Sequence, residues 1–330
     1  MKQFRQKELG AYFIVLFISA MCISCEEVFS YRSDEFSGGI AFDGKITNQP
    51  PPYFFRITSV APFGELDNEG IAGAIVVITD ETAGIRDTLK ELEPIVDGGN
   101  QGYVYYDYHA QKMEDYWFIV KPRNQLGVHV TTKIYGIEGH TYSLDIEYKG
   151  EHYTARETMV SSTPITNFKI KIIDLGPKGK SAAPCISFVN RPNEDNYYLF
   201  YYYPYSVNTY NVHYIAHLFD AHDNWNYTLL SDEHLEENVV DYVVSEGMPL
   251  RGMMPGIGYP SMHDSIYVYM YSLSSSCYVG YGDMIKQVAT DGGAYSPAPS
   301  NIRGNISGNI FGLFQVSAIS ERGIYVGNRN

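Results

Sequence analysis

Apolar and polar positions alternate along much of the chain, in short runs that turn-forming residues separate. Val, Ile, Thr and Tyr fill these runs, and such residues favour strands. Seven short strands with frequent turns favour an immunoglobulin-like β-sandwich over residues 38–160. The predicted strands of this first domain are residues 40–47, 53–60, 74–79, 102–108, 116–121, 141–148 and 153–158.

A second β-rich domain is predicted over residues 161–330, after the polar, proline-bearing segment 161–166. Between residues 274 and 289 apolar positions recur mainly at helical steps of three or four, and two glycines follow the run. This spacing predicts one helix that packs against the second sheet. The class is therefore all-β, with strands in the second domain at residues 168–173, 185–189, 197–203, 214–220, 264–272 and 312–320.

A basic start and a short apolar run over residues 11–23 open the chain. The run is too short to span a bilayer, which takes about 20 apolar residues, and it is typical of a secretory signal peptide. Ile23-Ser24-Cys25 resembles a bacterial lipobox, so we expect removal of residues 1–24 and lipidation of Cys25. The alternative is an ordinary signal peptide with an incidental cysteine.

An acidic stretch follows Cys25 in the predicted tether, residues 25–37. Glu26 and Glu27 resemble the export signal that sends Bacteroidota lipoproteins to the outer face of the outer membrane. Acyl chains on Cys25 would anchor the protein, since each buried methylene contributes about 0.8 kcal/mol. We therefore expect a lipid-anchored protein of the outer membrane, exposed on the cell surface. The alternative is that the glutamates only solvate the tether.

Charge and cysteine content exclude some classes of function. The net charge of −14 repels nucleic acid, so we expect no nucleic-acid partner. Cys185 and Cys277 could form a bridge in an oxidising compartment or stay as two buried thiols. Two cysteines without paired histidines at metal spacing give no zinc signature, and the sequence predicts no cofactor.

Four segments spread along the chain form a recognisable pattern. They are Phe42-Asp-Gly-Lys-Ile-Thr-Asn48, Ile71-Ala-Gly-Ala-Ile-Val-Val-Ile-Thr-Asp80, Gly139-His-Thr-Tyr-Ser-Leu-Asp-Ile-Glu-Tyr-Lys-Gly150 and Pro299-Ser-Asn-Ile-Arg-Gly-Asn-Ile-Ser-Gly-Asn-Ile-Phe-Gly-Leu-Phe314. Together they resemble an uncharacterised Bacteroidota lipoprotein family, domain of unknown function 4249. The resemblance implies an outer-membrane lipoprotein that often accompanies TonB-dependent receptors, and it implies no known catalytic residues.

Three histidines form the sharpest candidate for a metal site: His213, His217 and His222. Residues four apart share a face on a helix and also on a strand, so the first two could point to one ion. Imidazole suits zinc or copper. The glutamate of the His-Glu-x-x-His motif is absent. The alternative is that these histidines are solvated loop residues.

Tyrosine is unusually abundant, with 30 Tyr against 2 Trp. Tyr267, Tyr269 and Tyr271 alternate with apolar residues, so one face of their strand carries only phenol rings. With Tyr201 and Tyr203 they form a predicted ligand-binding surface, because tyrosine offers apolar area and a polar tip to a small ligand, glycan or peptide. The alternative is that the tyrosines cover a sheet and bind nothing.

The leading hypothesis is a non-enzymatic surface lipoprotein that assists a TonB-dependent transporter in ligand capture or gating. It combines the lipobox, the acidic tether, the aromatic surface and the family resemblance. A structural or adhesive envelope protein is the alternative. A metal-dependent hydrolase acting at the histidine cluster is the third hypothesis.

Overall fold

The computed structural model describes residues 39–60, 69–97, 100–117, 126–178, 180–205, 227–245, 248–249, 263–289 and 302–327. They belong to one unit, Gly38–Asn330. Most of them lie in strands, and the described residues contain one α-helix, α1 (Ser275–Ala289). The predicted all-β class with one packed helix is therefore confirmed.

The described residues form nineteen strands, which are numbered in chain order. The first eleven are β1 (Ile40–Thr47), β2 (Phe54–Ser59), β3 (Ile75–Asp80), β4 (Ile85–Thr88), β5 (Lys90–Glu91), β6 (Pro94–Asp97), β7 (Asn100–Asp107), β8 (Lys112–Trp117), β9 (Val128–Val130), β10 (Thr141–Tyr148) and β11 (Glu151–Thr158). The others are β12 (Ile165–Asp174), β13 (Lys180–Val189), β14 (Tyr197–Tyr205), β15 (Tyr227–Ser231), β16 (Asn238–Val243), β17 (Met248–Pro249), β18 (His263–Leu273) and β19 (Ile310–Gly327).

An eight-stranded sheet in the order β15-β14-β18-β19-β1-β2-β9-β5 forms the middle layer. Strand β19 is long enough to join two partners. Its first part runs parallel to β1, and its second part runs antiparallel to β18. Strands from both predicted domains thus share one sheet, while the division of the chain at residue 161 stays a prediction.

Two smaller sheets cover one face of the central sheet. Phe42 of β1 and Phe314 of β19 lie in one buried cluster with Leu144 of the sheet β11-β10-β3-β4. Further along the same face, Met270 packs in a second cluster with Ile186 of the sheet β12-β13-β16. Successive strand residues point to opposite faces, so the residues between these core positions point the other way.

The opposite face of the central sheet carries two covering elements. Helix α1 lies over β14, β18 and β19, where Cys277 joins a buried cluster with Leu199 and Leu273. The three-stranded sheet β6-β7-β8 packs its Tyr103 and Tyr105 near the other end, in a cluster with residues of β2 and β9.

Strand predictions hold best where burial alternates. Strands β1 and β10 match the predicted residues at both ends, and α1 matches within one residue. The strand predicted at residues 116–121 overlaps β8 at residues 116–117. Its residues 118–121, and the strand predicted at residues 214–220, lie outside the described residues. Within the described parts of the chain, no helix is long and apolar enough to cross a membrane.

Candidate functional site

The predicted tyrosine surface lies on two paired strands of the central sheet. Tyr201 of β14 is opposite Tyr269 of β18, and Tyr203 is opposite Tyr267. Tyr271 follows on the same face, two residues beyond Tyr269. The fold therefore brings the five predicted positions together, which we call the tyrosine face. Whether they bind a ligand stays a prediction.

Helix α1 and its neighbours bury part of this tyrosine face. Tyr201 is only 2% exposed and Tyr271 only 8%. Tyr267 and Tyr269 are half-buried, and the side chain of Tyr203 lies outside what the structure describes. In the described conformation, Tyr201 and Tyr271 therefore act as core residues beneath the helix, and neither offers a free surface.

Aromatic and polar contacts fasten α1 to the sheet at the tyrosine face. The rings of Tyr197 and Tyr278 stack with their centroids 4.7 Å apart. Tyr281 donates its hydroxyl to Oε1 of Gln315 at 2.6 Å. Within the sheet itself, Lys45 of β1 places its Nζ 5.5 Å from the centroid of the Tyr271 ring of β18, a cation–π distance. Burial raises the pKa of Tyr271, so its hydroxyl stays protonated near neutral pH.

The segment before β19 also holds α1, through hydrogen bonds that Asn305 makes. Asn305 donates through Nδ2 to the Phe314 carbonyl at 2.8 Å and accepts from the Phe314 amide at 2.9 Å. The same Nδ2 lies 2.7 Å from Glu157 Oε1, which also accepts from the Ser276 hydroxyl of α1. One amide side chain thus joins β11, β19 and the helix.

Arg303 and Asp283 form a second link between this segment and α1. Arg303 donates through Nε and Nη2 to the two carboxylate oxygens at 2.7 and 2.8 Å. The guanidinium lowers the pKa of the Asp283 carboxyl to about 2.

Gly312 has φ of +112°, and a Cβ there would lie 1.9 Å from the Phe42 carbonyl. The glycine-rich segment thus has a structural role in this fold.

Several predicted residues lie outside the described part of the chain: Cys25, Glu26, Glu27, His213, His217 and His222. Their proposed lipidation, export and metal roles stay predictions. Among the described residues, no group of three His, Cys, Asp or Glu side chains could hold a metal ion. Cys185 and Cys277 are both buried and free, so the structure has no bridge between them.

A different surface gathers exposed apolar side chains where β1 ends. It consists of Tyr106, Tyr108, Met113, Tyr135 and Ile137, whose exposed fractions run from 41% to 60%. We call it the apolar end surface. Tyr106 lies opposite Met113 in the β7–β8 hairpin and meets the Tyr108 ring at 5.0 Å. Exposed apolar side chains that adjoin one another are a usual mark of a binding surface.

The loop of residues 131–140 supplies two members of this surface, Tyr135 and Ile137. Asp87 of β4 is fully buried and holds the start of the loop. Its Oδ2 accepts from the amides of Thr132 and Lys133 at 2.7 and 2.8 Å. Its Oδ1 accepts from the Thr132 hydroxyl at 2.5 Å. A buried carboxylate with several donors fixes the backbone that provides them.

Two tyrosine hydroxyls hold the middle of the loop. Tyr142 donates to the Tyr135 carbonyl at 2.8 Å and accepts from the Ile137 amide at 2.9 Å. Burial raises the pKa of Tyr142 to about 12, so it remains a donor at neutral pH. Tyr53 accepts from the Gly136 amide at 2.9 Å. The loop backbone is thus fixed while the side chains of Tyr135 and Ile137 project to solvent.

His109 joins the hairpin tip to this loop. Its Nε2 lies 3.1 Å from the Ile134 carbonyl, and its ring meets the Tyr135 ring edge-on at 4.8 Å. Asp107 fixes the turn that carries His109, because its Oδ1 accepts from the amides of His109 and Ala110 at 2.8 and 3.0 Å. The hairpin tip and the loop therefore contact each other through His109.

Charged side chains border the apolar end surface, and Lys133 is exposed within the loop itself. Glu138 accepts from the Asn48 side chain and from the Ser162 amide, each at 3.1 Å. Lys112 pairs with Glu114 across an exposed contact.

Sequence reasoning missed this surface. The tyrosine run at residues 103–108 is visible in the sequence, but period-two alternation does not say which face of β7 is covered. Tyr135 and Ile137 lie in a loop with no periodicity. The tyrosine run was therefore the signal that could have pointed to this surface.

Comparison with known proteins adds one match. The family model described as Domain of unknown function (DUF4249) matches residues 26–322. No match to the chain is found among curated proteins.

Proposed function

This chain belongs to the DUF4249 family, and on that premise we propose that it is a non-enzymatic lipoprotein of the outer membrane. Cys25 carries the lipid, and the folded body lies on the cell surface. It assists a TonB-dependent receptor in capturing or gating a ligand by binding the receptor through the apolar end surface.

The observation that supports this proposal is the contrast between rigid backbone and exposed apolar side chains at that surface. Tyr135 and Ile137 are exposed on a loop that Asp87 and Tyr142 hold by buried hydrogen bonds. Such a loop loses little conformational entropy on binding, because its backbone is already ordered. Tyrosine and methionine are enriched at protein interfaces, and most charged residues are depleted there.

Mild-detergent purification of the full-length, tagged protein from its own outer membranes tests the proposal. A TonB-dependent receptor should accompany the wild-type protein in a fixed ratio. The variant Cys25→Ser should leave the membrane fraction, because it lacks the acyl chains. Purification of the wild-type protein without any receptor would contradict the transporter role and favour the structural or adhesive alternative.

A further inference from the structure

The face of the central sheet on which α1 lies carries a charged patch on β1 and β2. Asp43 and Lys45 are two residues apart on β1, so both point to this face, away from the buried cluster that contains Phe42 and Ile46. Arg56 of β2 lies directly opposite Asp43 and shares its face. One carboxylate and two cations therefore lie together near the middle of the sheet.

Covering elements flank this charged patch on both sides. Gly280 of α1 packs so closely on Leu313 of β19 that a Cβ there would lie 2.6 Å from Leu313 Cδ2, and Leu313 is the register partner of Asp43. On the other side, the Phe54 ring of β2 meets the Tyr105 ring of β7 edge-on at 5.3 Å. Strand β1 lies between β19 and β2, so its charged side chains lie at the base of a groove between α1 and the sheet β6-β7-β8.

The Asp43 carboxylate is exposed to solvent in this groove and, within the described part of the chain, accepts no hydrogen bond. Desolvation by the surrounding protein raises the pKa of this carboxyl, and the charges of Lys45 and Arg56 only partly oppose that effect. The Lys45 ammonium instead lies over the Tyr271 ring. An accessible carboxylate that is partly desolvated gains free energy from a ligand that brings a donor.

The mixed charge narrows the class of ligand. Lys45 and Arg56 repel a ligand that carries only positive charge, and Asp43 repels one that carries only negative charge. A ligand with both charges avoids both penalties. The Cβ atoms of Asp43 and Lys45 are about 6.6 Å apart along the strand. Two residues of extended peptide span about 7 Å, whereas a free amino acid holds its amino nitrogen and carboxyl carbon only about 2.5 Å apart.

From these opposite charges in one groove, we propose that Asp43 and Lys45 form a binding site for a short peptide with free termini. The ammonium group of the peptide binds Asp43, and its carboxylate binds Lys45, with Arg56 adding positive charge beside them. This inference goes beyond the proposed function, which names no ligand, and it does not depend on a receptor.

Isothermal titration calorimetry of the full-length protein in non-ionic detergent tests the site, with the dipeptide alanyl-alanine as the probe. The dipeptide should saturate one site per chain. Its N-acetylated form, its C-terminal amide and free alanine should each bind at least about tenfold more weakly, because each loses an ionic contact. Equal binding of the capped dipeptides would overturn the inference. Binding of a neutral disaccharide, with none of alanyl-alanine, would also overturn it.

Substitutions in the groove give a second measurement. Asp43→Asn and Lys45→Met remove one charge each and should each weaken binding of alanyl-alanine at least about tenfold. The matched controls are Asp145→Asn and Lys133→Met, which remove an exposed carboxylate and an exposed ammonium elsewhere in the fold. Both controls should bind as the wild type does. Equal loss in the control variants would overturn the inference, because the effect would then come from overall charge.

Urea unfolding separates ligand binding from a structural role of Asp43. A carboxyl whose pKa is raised by folding destabilises the fold when it is ionised at neutral pH. Asp43→Asn should therefore unfold at the same or a higher urea concentration while it loses binding. A less stable Asp43→Asn that still binds the dipeptide would make Asp43 a structural residue and overturn the inference. Receptor recovery is measured separately, so either result leaves the proposed function unaffected.

Discussion

Two tyrosine-bearing regions of this molecule differ in their exposure to solvent. The tyrosine face of β14 and β18 follows a regular alternation, yet helix α1 covers it and Tyr201 and Tyr271 are buried. The loop of residues 131–140 has no alternation, yet it exposes Tyr135. A regular phenolic face therefore need not be a binding surface, and an irregular loop can present one.

The difference lies in what supports the backbone. Strands satisfy their own amides by pairing, so the side chains of a strand can be covered by another element such as α1. Between residues 132 and 137 the loop amides instead donate to the side chains of Asp87, Tyr53 and Tyr142. Buried polar side chains thus hold the loop. Its Ile134 side chain packs in the core, and the side chains of Tyr135 and Ile137 remain exposed.

Removing Asp87 should destabilise the loop more than any other single change. Asp87→Ala leaves the part-buried amides of Thr132 and Lys133 and the Thr132 hydroxyl without their acceptor. We expect the free energy of unfolding to fall by about 3 kcal/mol. Urea unfolding followed by tryptophan fluorescence and far-UV circular dichroism measures this change.

Asp145→Ala is the control for Asp87→Ala. Asp145 is exposed on β10, 3.8 Å from His152, and its removal should change stability by less than about 0.5 kcal/mol. Equal losses from the two variants would mean that Asp87 does not hold the loop.

Truncating one tyrosine in each region should separate stability from binding. Tyr271→Ala removes a buried ring and should cost about 3–4 kcal/mol of unfolding free energy. Tyr135→Ala should cost less than about 1 kcal/mol, because its ring is half in solvent, but should weaken receptor recovery. If Tyr271→Ala lowers receptor recovery without lowering stability, the tyrosine face is the binding surface.

The parts of the fold that sequence predicted are those with local signals. Alternation located β1 and β10, and helical spacing with terminal glycines located α1. Strand β19 was predicted too short, because its pairing with both β1 and β18 depends on partners far along the chain. Strands β4 and β5 are short and mostly polar, so no apolar period marked them.

The apolar end surface could not be predicted from the sequence for a related reason, because it also depends on contacts between distant residues. Its support comes from Asp87, 45 residues before Thr132, and a single buried aspartate has no sequence signature. On β7, Tyr105 is buried and Tyr106 is exposed, and only the docking of the hairpin decides which is which. The sequence supplied the residue types, and tertiary contacts chose among them.

Tyr142→Phe should weaken the hydrogen bonding of the loop without creating a cavity in the core. The change keeps the buried ring and removes the hydroxyl that joins the Tyr135 carbonyl to the Ile137 amide. We expect a loss of about 1–2 kcal/mol in unfolding free energy and faster hydrogen exchange at residue 137. Tyr108→Phe is the control, since its ring is exposed, and it should leave both values unchanged. Unchanged exchange in Tyr142→Phe would show that the hydroxyl does not order the loop.

Loss of the Arg303–Asp283 ion pair, which links α1 to the segment before β19, should lower the stability only slightly. Arg303 lowers the pKa of Asp283 to about 2, below its ordinary value of 3.8. The ion pair therefore stabilises the fold above pH 4 and loses its effect as pH falls toward 2, when the carboxylate takes up a proton. Arg303 is largely exposed, so Asp283→Asn should cost less than about 1 kcal/mol at pH 7. Urea unfolding across this pH range should show the two proteins converging near pH 2, and a constant difference would mean that Asp283 acts by packing and not by charge.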